Sequence, residues 1–258
     1  MAYKTLLFEK EGNIATITLN RPQQLNALDL IMRMELISLL TEISADKSIK
    51  VLVLTGAEKA FCAGGDITQM EGITAPTGRD RLKYVQQIVR LMGEMEKPII
   101  ASVNGVAAGA GCNLALAADI IIASEKAKFM ESFVNIGLVP DLGGFYNLSL
   151  RVGVAKAKEL LLTGRMIEAK EAESMGLVNR VVPHEMLKTE TDNLAATFAS
   201  GPSRAYAMIK SALNLWPMNS QAFLELEANM QGIAFETKDS DEGRRAFLER
   251  RKPVYTGE

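Results

Sequence analysis

Two glycine-rich segments, each placed after a short apolar run, constrain the fold of this 258-residue chain more than any other feature. The first, Phe61–Asp66, follows the run Val51–Leu54, and the second, Gly105–Asn113, follows Pro98–Val103. Glycine permits backbone conformations closed to other residues and lets a ligand approach bare backbone. Two such turns at strand ends can aim two backbone N–H groups at one point. That arrangement stabilises a carbonyl oxygen as it gains negative charge.

Strand and helix patterns alternate along most of the chain. Apolar residues alternate with threonines from Asn13 to Asn20, which predicts a half-buried strand. Helical spacing of apolar residues predicts four helices: Asp29–Ser44, Arg81–Met95, Gly111–Ala118 and Val154–Leu162. Asp29 is placed to cap the first helix, whose predicted apolar face consists of Leu30, Met34, Ile37 and Leu40. The alternation predicts an α/β fold with ligands at the carboxyl ends of the strands.

Beyond Pro202 the strand patterns cease. Three helices are predicted there, over Ser203–Leu215, Ser220–Phe235 and Asp241–Arg251. Helices that follow a completed core often form an interface between subunits. We therefore expect a catalytic core over residues 1–200 and a helical region over 201–258.

The composition is typical of an enzyme that acts on small molecules. The 29 basic and 31 acidic residues give a net charge of −2, which argues against nucleic-acid binding through a basic surface. Cys62 and Cys112 are too far apart for a CxxC motif, and the lone His184 leaves a histidine triad or histidine metal site without support. The N-terminus resembles no targeting segment. We expect a cytoplasmic protein with no disulfide, metal or membrane span.

Two other functions of the glycine-rich and apolar segments are disfavoured. The uncharged stretch Pro98–Ala118 is long enough to span a membrane, but Asn104, Asn113 and several glycines interrupt it. Gly109 and Gly111 begin a dinucleotide-binding fingerprint, yet its third glycine is missing. A buried strand, a turn and the start of a helix are predicted instead.

Several short motifs occur in the order that is typical of the crotonase, or enoyl-CoA hydratase/isomerase, superfamily, which the chain therefore resembles. The resemblance covers nearly the whole chain, and its specificity lies in the ordered occurrence of the motifs. The matching segments are Arg21–Leu28, Ala60–Asp66, Lys97–Ala115, Ala127–Phe129, Ile136–Gly144, Leu162–Gly164 and Ala172–Val178.

The resemblance implies a spiral of ββα units followed by a C-terminal helical trimerisation region. It implies a homotrimer or a dimer of trimers and an acyl-CoA thioester as substrate, with no resident cofactor because coenzyme A is part of that substrate. The thioester oxygen would lie between the N–H groups of Gly65 and Ala110. Most relatives carry glycine at the second position, but a backbone amide of alanine can donate equally.

Three positions bear on the reaction. Hydratases of the family place two glutamates around a water, and the matching residues here are Asn113 and Phe133. Asp141 lies where 3-enoyl-CoA isomerases and ring-epoxide phenylacetyl-CoA isomerases carry one catalytic acid. A single carboxylate suits a proton shuttle, so we expect an isomerase. The alternatives are a hydratase that uses Asp141 with water, on a cyclic or conjugated acyl group, and a catalytically silent CoA-binding homologue.

The resemblance also suggests contacts with the substrate and its CoA moiety. These residues are Leu25, Ala27, Lys59, Ala63, Asp66, Met70, Asn113, Phe133, Phe247 and Arg250. Phe247 and Arg250 would reach the adenine end of CoA bound to a neighbouring subunit. Simpler roles are open for others: Asp141 as a helix cap, Asp66 as the ion-pair partner that holds its loop, and Phe133 as a core residue.

Overall fold

The computed structural model describes residues 3–258, whose strands form two sheets. The strands in chain order are β1 (Leu6–Glu11), β2 (Ile14–Leu19), β3 (Val51–Gly56), β4 (Ala60–Cys62), β5 (Ile99–Val103), β6 (Val106–Ala108), β7 (Ile120–Ser124), β8 (Lys128–Met130), β9 (Met166–Glu168) and β10 (Arg180–Val182). The six-stranded sheet has the order β1-β2-β3-β5-β7-β10, and the four-stranded sheet the order β4-β6-β8-β9. Only the β1–β2 and β8–β9 pairs are antiparallel among the strands described.

The helices surround and extend these sheets. In chain order they are α1 (Leu30–Ala45), α2 (Ala75–Glu94), α3 (Ala110–Leu116), α4 (Gly144–Thr163), α5 (Ala169–Ser174), α6 (Leu187–Ala199), α7 (Ser203–Leu213), α8 (Ser220–Phe235) and α9 (Lys238–Leu248). The three helices predicted beyond Pro202 correspond to α7, α8 and α9.

The chain repeatedly passes from the large sheet to the small one. β3 leads into β4, β5 into β6, and β7 into β8, and each member of one series pairs in parallel with the next. The glycine-rich turns follow β4 and β6, whose parallel pairing aligns Ala60 with Val106. Because the carboxyl ends of parallel strands meet at one edge of a sheet, the two turns become neighbours.

The uncharged stretch Pro98–Ala118 lies inside the protein as β5, β6 and α3. Every residue of α3 is buried, as are all five residues of β5. Among residues 3–258, no helix combines the length and apolarity needed to cross a bilayer.

Helix α1 is capped as predicted, but only Leu40 and, in part, Ile37 of its predicted apolar face are buried. The Asp29 carboxylate accepts a hydrogen bond from the Met32 N–H at 2.8 Å. Leu30 and Met34 are 54% and 52% exposed. The apolar side chains that the helix buries are Met32, Leu36, Leu39, Leu40 and Ile43. Apolar residues occur on nearly all sides of α1, so their spacing alone does not select one face.

Three further helices differ from prediction at their ends. Helix α2 begins at Ala75, well before the predicted Arg81, because Thr74 and Thr77 form a reciprocal capping box. Helix α4 begins at Gly144, but the left-handed φ of +74° at Gly153 interrupts it, so only the segment after the kink showed helical spacing. Helix α9 begins at Lys238 because Thr237 caps it.

Candidate active site

The two glycine-rich turns pack directly against each other where β4 and β6 end. Gly64 has a φ of +104°, and a Cβ there would lie 2.8 Å from the carbonyl oxygen of Ala108. A Cβ on Gly111 would lie 2.1 Å from the carbonyl oxygen of Cys62. Any side chain at either position would push the turns apart, so the close approach requires glycine.

Gly65 and Ala110 each carry an unpaired backbone N–H on these turns. The Leu28 N–H donates to the Gly64 carbonyl at 2.7 Å, and the Asp66 N–H donates to the Leu28 carbonyl at 3.2 Å, which bypasses the N–H of Gly65. Ala110 is the first residue of α3, where an N–H has no acceptor within the helix. In the part of the chain that the structure describes, neither N–H donates a hydrogen bond. Their role as oxyanion donors stays a prediction.

A cavity of about 390 Å³ adjoins Gly65 and Ala110, and we call it the central cavity. Its walls are mostly apolar, and Asp141 is the one carboxylate among its described lining residues. The lining consists of Leu28, Arg33, Ala63, Gly64, Gly65, Ile67, Met70, Ile73, Gly78, Arg81, Leu82, Val85, Gly109, Ala110, Ser132, Phe133, Ile136, Leu138, Val139, Asp141 and Leu142.

The Asp141 carboxylate faces this cavity without capping a helix. The N-cap of α4 is Gly143, and Asp141 contributes only its carbonyl oxygen, which accepts from the Gly144 N–H at 2.8 Å. Its Oδ1 is buried and has no hydrogen-bond partner within residues 3–258. Burial raises the pKa of Asp141 to about 6, against the opposing pull of the Arg33 and Arg81 guanidinium groups. Such a carboxylate is ionised at neutral pH yet can readily carry a proton.

Asn113 supports the Asp141 loop from behind the cavity. Its side chain is completely buried, and its Nδ2 donates to the Asp141 carbonyl oxygen at 2.9 Å. A Cβ on Gly144 would lie 2.3 Å from that Nδ2, so the amide and the start of α4 are closely packed. Asn113 is absent from the described cavity lining. Its direct contact with substrate stays a prediction, whereas its contact with the Asp141 backbone is visible.

The family model described as enoyl-CoA hydratase/isomerase matches residues 9–258 of the chain. The chain belongs to this family. The crystal structure of an enoyl-CoA hydratase from Bacillus anthracis superposes with a TM-score of 0.94 at 34% identity, covering 99% of this chain and all of the other. The predicted crotonase-type α/β fold is thus confirmed, and the protein is an enzyme of the crotonase superfamily.

Sequence relatives within the family differ in the reaction that their names state. A crotonyl-CoA hydratase of Syntrophomonas wolfei is 39% identical over 99% of both chains. A 1,2-epoxyphenylacetyl-CoA isomerase of Escherichia coli is 37% identical over 98% of both chains. Most of the similar relatives carry hydratase names. Family membership therefore establishes hydratase/isomerase chemistry and leaves the choice between the two open.

Beside the central cavity of this crotonase-superfamily enzyme, one arginine organises the segment Arg21–Leu28. Arg21 pairs with Asp66 at 3.2 Å and with Asp29 at 3.3 Å. The same guanidinium donates to the Ala27 carbonyl at 2.6 Å. The structural role considered for Asp66 is therefore present, and its predicted contact with substrate stays a prediction. The carbonyl oxygen of Leu25 accepts a hydrogen bond from the Ala63 N–H at 2.9 Å.

Of the remaining predicted contacts, two residues line the central cavity and three do not. Met70 and Phe133 line the central cavity, and Phe133 is only 8% exposed. Lys59 is exposed and is not a lining residue of that cavity. Phe247, in α9, is 83% exposed, and Arg250 follows shortly after this helix. Their contact with CoA bound to a neighbouring subunit stays a prediction.

Sequence reasoning missed three charged residues near the cavity, of which Arg33 and Glu131 are buried and Arg81 is partly buried. Arg33 and Arg81 line it, and each has a buried side-chain nitrogen without a partner in the described residues. Glu131 is 3% exposed beside Cys112 and Asn113, and burial raises its pKa to about 7. For the two arginines a sequence signal was available. Each is a charged residue at a helix position that the spacing of apolar residues assigns to the buried face.

Proposed function

We propose that this enzyme isomerises 3-enoyl-CoA thioesters to 2-enoyl-CoA thioesters, with Asp141 as the proton shuttle. The observation that carries the proposal is the composition of the central cavity. It combines two unpaired amide N–H groups, on Gly65 and Ala110, with one carboxylate among its described lining residues. Double-bond migration needs one group that removes a proton and returns it, together with a site for the intermediate negative charge.

In the proposed reaction the thioester oxygen accepts hydrogen bonds from Gly65 and Ala110. Asp141 takes a proton from C2, and the electrons of that C–H bond pass into a dienolate whose charge rests on the thioester oxygen. Asp141 then gives the proton to C4, so that the C3=C4 bond is lost and the C2=C3 bond remains. No water is consumed. Each preorganised amide donor contributes roughly 2.7–4 kcal/mol in comparable acyl-transfer sites.

The environment of Asp141 suits both halves of this shuttle. With a pKa of about 6, the carboxylate is ionised at neutral pH and available as a base. The apolar side chains of Phe133, Val139 and Leu142 line the same cavity. A carboxylate at its ordinary pKa would be a weaker base toward an α-proton.

The second candidate function is hydration of a 2-enoyl-CoA, with Asp141 activating a water molecule. The hydratase names of most relatives favour it. The positions matched to the two hydratase glutamates, however, hold Asn113 and Phe133, and the visible contact of Asn113 is with the backbone of Asp141. Ordinary two-glutamate hydration therefore lacks its acid–base pair here.

We further propose that the active form is a homotrimer or a dimer of trimers, assembled through α7, α8 and α9. Several large apolar side chains of this region are exposed in the single chain, including Leu224, Ile233 and Phe235 at 65%, 63% and 66%. Burial of such side chains between subunits would stabilise an oligomer. Size-exclusion chromatography with light scattering tests this assembly, which a monomer would contradict.

Product mass separates the candidate reactions. The purified protein is incubated separately with 3-hexenoyl-CoA and 2-hexenoyl-CoA, and the products are followed by mass spectrometry. Isomerisation leaves the mass unchanged and shifts the retention time, whereas hydration adds one water. Absence of both products with these and with other 3-enoyl and 2-enoyl thioesters would leave only a silent CoA-binding homologue.

A variant pair tests the role of Asp141. We expect Asp141→Asn to lower turnover by roughly 10²–10⁴-fold, the usual contribution of a general base, while the affinity for CoA thioesters is retained. Asp80→Asn is the matched control, since Asp80 is exposed on α2 and is not a lining residue of the central cavity. Full activity of Asp141→Asn would remove Asp141 from the mechanism.

A further inference from the structure

Arg33 is a buried cation that lines the central cavity without a partner. It lies on α1, is 5% exposed, and makes no side-chain hydrogen bond or ion pair within residues 3–258. Its Nε is completely buried and unsatisfied. Its Nη2 would lie 3.3 Å from a Cβ placed on Gly65, so the guanidinium stands close to the predicted oxyanion donors. A buried guanidinium without a counter-ion is costly, so the site is poised to accept an anion.

Arg81 brings a second guanidinium to the same cavity from α2. Its Nη1 donates to the Gln69 carbonyl oxygen at 2.7 Å, which fixes the side chain. Its Nη2 is buried and has no partner among the described residues. The positive charge of Arg81 also disfavours the charged form of Arg33 and contributes to lowering its pKa, after the larger effect of burial. The two cations are therefore close enough to repel each other.

The carboxylates of Asp141, Asp29 and Asp66 favour the charged form of Arg33 but do not form an ion pair with it in the described residues. Asp29 and Asp66 are both engaged by Arg21, at 3.3 Å and 3.2 Å. Asp141 forms no ion pair within 4 Å with either cavity arginine in the described structure, and it supplies one negative charge against two positive ones. The cavity therefore retains a net positive charge even when Asp141 is ionised.

We propose that the acyl group of the substrate carries a carboxylate of its own, which Arg33 and Arg81 bind. The substrate class is then a short ω-carboxyacyl-CoA, the thioester of an unsaturated dicarboxylic acid. This proposal rests on the proposed function, because it assigns the acyl chain to the same cavity. Arginine is suited to the task, since its guanidinium binds carboxylates in a fixed two-pronged geometry. The proximity of Arg33 to Gly65 requires that the chain between thioester and carboxylate be short.

Saturated thioesters test the substrate class without any turnover. Isothermal titration calorimetry compares glutaryl-CoA with pentanoyl-CoA, which have equal chain length and differ in the terminal carboxylate. We expect the protein to bind glutaryl-CoA at least about tenfold more tightly, as charge-assisted hydrogen bonds in a water-poor site provide. Equal affinities, or tighter binding of pentanoyl-CoA, would overturn the proposal.

Variants assign the preference to the two arginines. Arg33→Gln and Arg81→Gln should each lose most of the preference for glutaryl-CoA, while Arg33→Lys keeps part of it. Arg90→Gln is the matched control, because Arg90 is exposed on α2 and is not a lining residue of the central cavity. If Arg33→Gln does not fold, the partly exposed Arg81 supplies the same test. A preference that survives in both glutamine variants would contradict the assignment.

The outcomes separate this proposal from the isomerase proposal. Isomerisation of 3-hexenoyl-CoA without any preference for glutaryl-CoA over pentanoyl-CoA would refute only the dicarboxylic substrate class. A clear preference for glutaryl-CoA with no isomerisation of 3-enoyl thioesters, including the matching unsaturated dicarboxylic one, would refute only the isomerase. If Arg33→Gln changes the pH profile of turnover and leaves the binding preference intact, the arginine serves Asp141 rather than the substrate, and the proposal fails.

Discussion

Replacing Asp141 with asparagine is expected to stabilise the folded protein at neutral pH while it removes activity. In the folded protein burial raises the pKa of Asp141 to about 6, whereas an unfolded chain has the ordinary value of 3.8. Each unit of difference between the two pKa values corresponds to about 1.4 kcal/mol. The ionised carboxylate therefore costs about 3 kcal/mol of unfolding free energy once the pH exceeds 6. Asparagine keeps the shape of the side chain and carries no charge, so the variant avoids that cost.

The pH dependence follows from the direction of the shift. Below pH 3.8 the carboxyl group is protonated in both the folded and unfolded states, so ionisation contributes nothing to the stability difference. Between pH 3.8 and 6 the unfolded chain loses its proton first, which favours unfolding of the wild type. The advantage of Asp141→Asn should therefore grow by about 2.5 kcal/mol from pH 4 to pH 8. Titrating groups that do not interact with Asp141 cancel in the comparison, whereas Glu131 does not, because the charge of Asp141 contributes, after burial, to raising its pKa to about 7.

Urea unfolding of both proteins at pH 4, 5, 6, 7 and 8, at one protein concentration, measures this difference. Asp66→Asn is the control with the opposite sign, because hydrogen bonding to Thr68 and then Arg21 lowers the pKa of Asp66. Its loss should destabilise the fold by an amount that stays nearly constant from pH 8 to pH 4, because a carboxylate with a lowered pKa loses its contribution only below about pH 3.8. A stability difference for Asp141→Asn that stays constant from pH 4 to pH 8 would refute a buried carboxylate with a raised pKa.

Other predictions concern the chemistry and the loop of Asp141. The value of kcat/KM should fall tenfold per pH unit below about pH 6, because Asp141 must be ionised to remove a proton; a flat rate profile from pH 5 to pH 7 would contradict this role. Ala110→Pro removes one oxyanion N–H at the first position of α3, where proline is tolerated, and should lower kcat by roughly 10²–10³-fold, whereas Ala110→Gly should retain activity. Equal kcat values for those two variants would exclude the Ala110 amide. Asn113→Leu removes the donor to the Asp141 carbonyl and should reduce the unfolding free energy by about 1–3 kcal/mol in urea, with kcat affected more than KM; unchanged stability and kcat would show that the contact is dispensable.

The positions of the glycine turns could be predicted from sequence because their physics is local. Glycine next to an apolar run signals a turn at a strand end, and the parallel pairing of β4 with β6 then brings Gly64 and Ala108 together. The three-residue strands themselves could not be predicted. A segment as short as Ala60–Cys62 shows no periodicity, and its strand conformation depends on pairing with Val106–Ala108, far away in the chain.

The roles of Asp141 and Asn113 show where sequence reasoning ends. The motif around Asp141 suggested an acid, but a carboxylate two residues before Gly143 could equally have capped α4. Only the packed structure leaves its Oδ1 buried and unpaired. Asn113 was expected to contact the substrate, and its visible hydrogen bond joins residues 28 positions apart. Such a contact is a property of the fold and has no local signature.

The two cavity arginines mark a signal that the sequence does contain. Arg33 lies in register with the buried Leu36, Leu40 and Ile43 along α1. Arg81 occupies the same kind of position, one turn before the buried Val85, Ile88 and Met92 of α2. A cation at a position that the helical repeat assigns to the core is too costly to keep unless something pairs with it. This pattern is a signal for an anion near each helix that the sequence analysis did not use, and both arginines line one cavity whose described lining holds a single carboxylate.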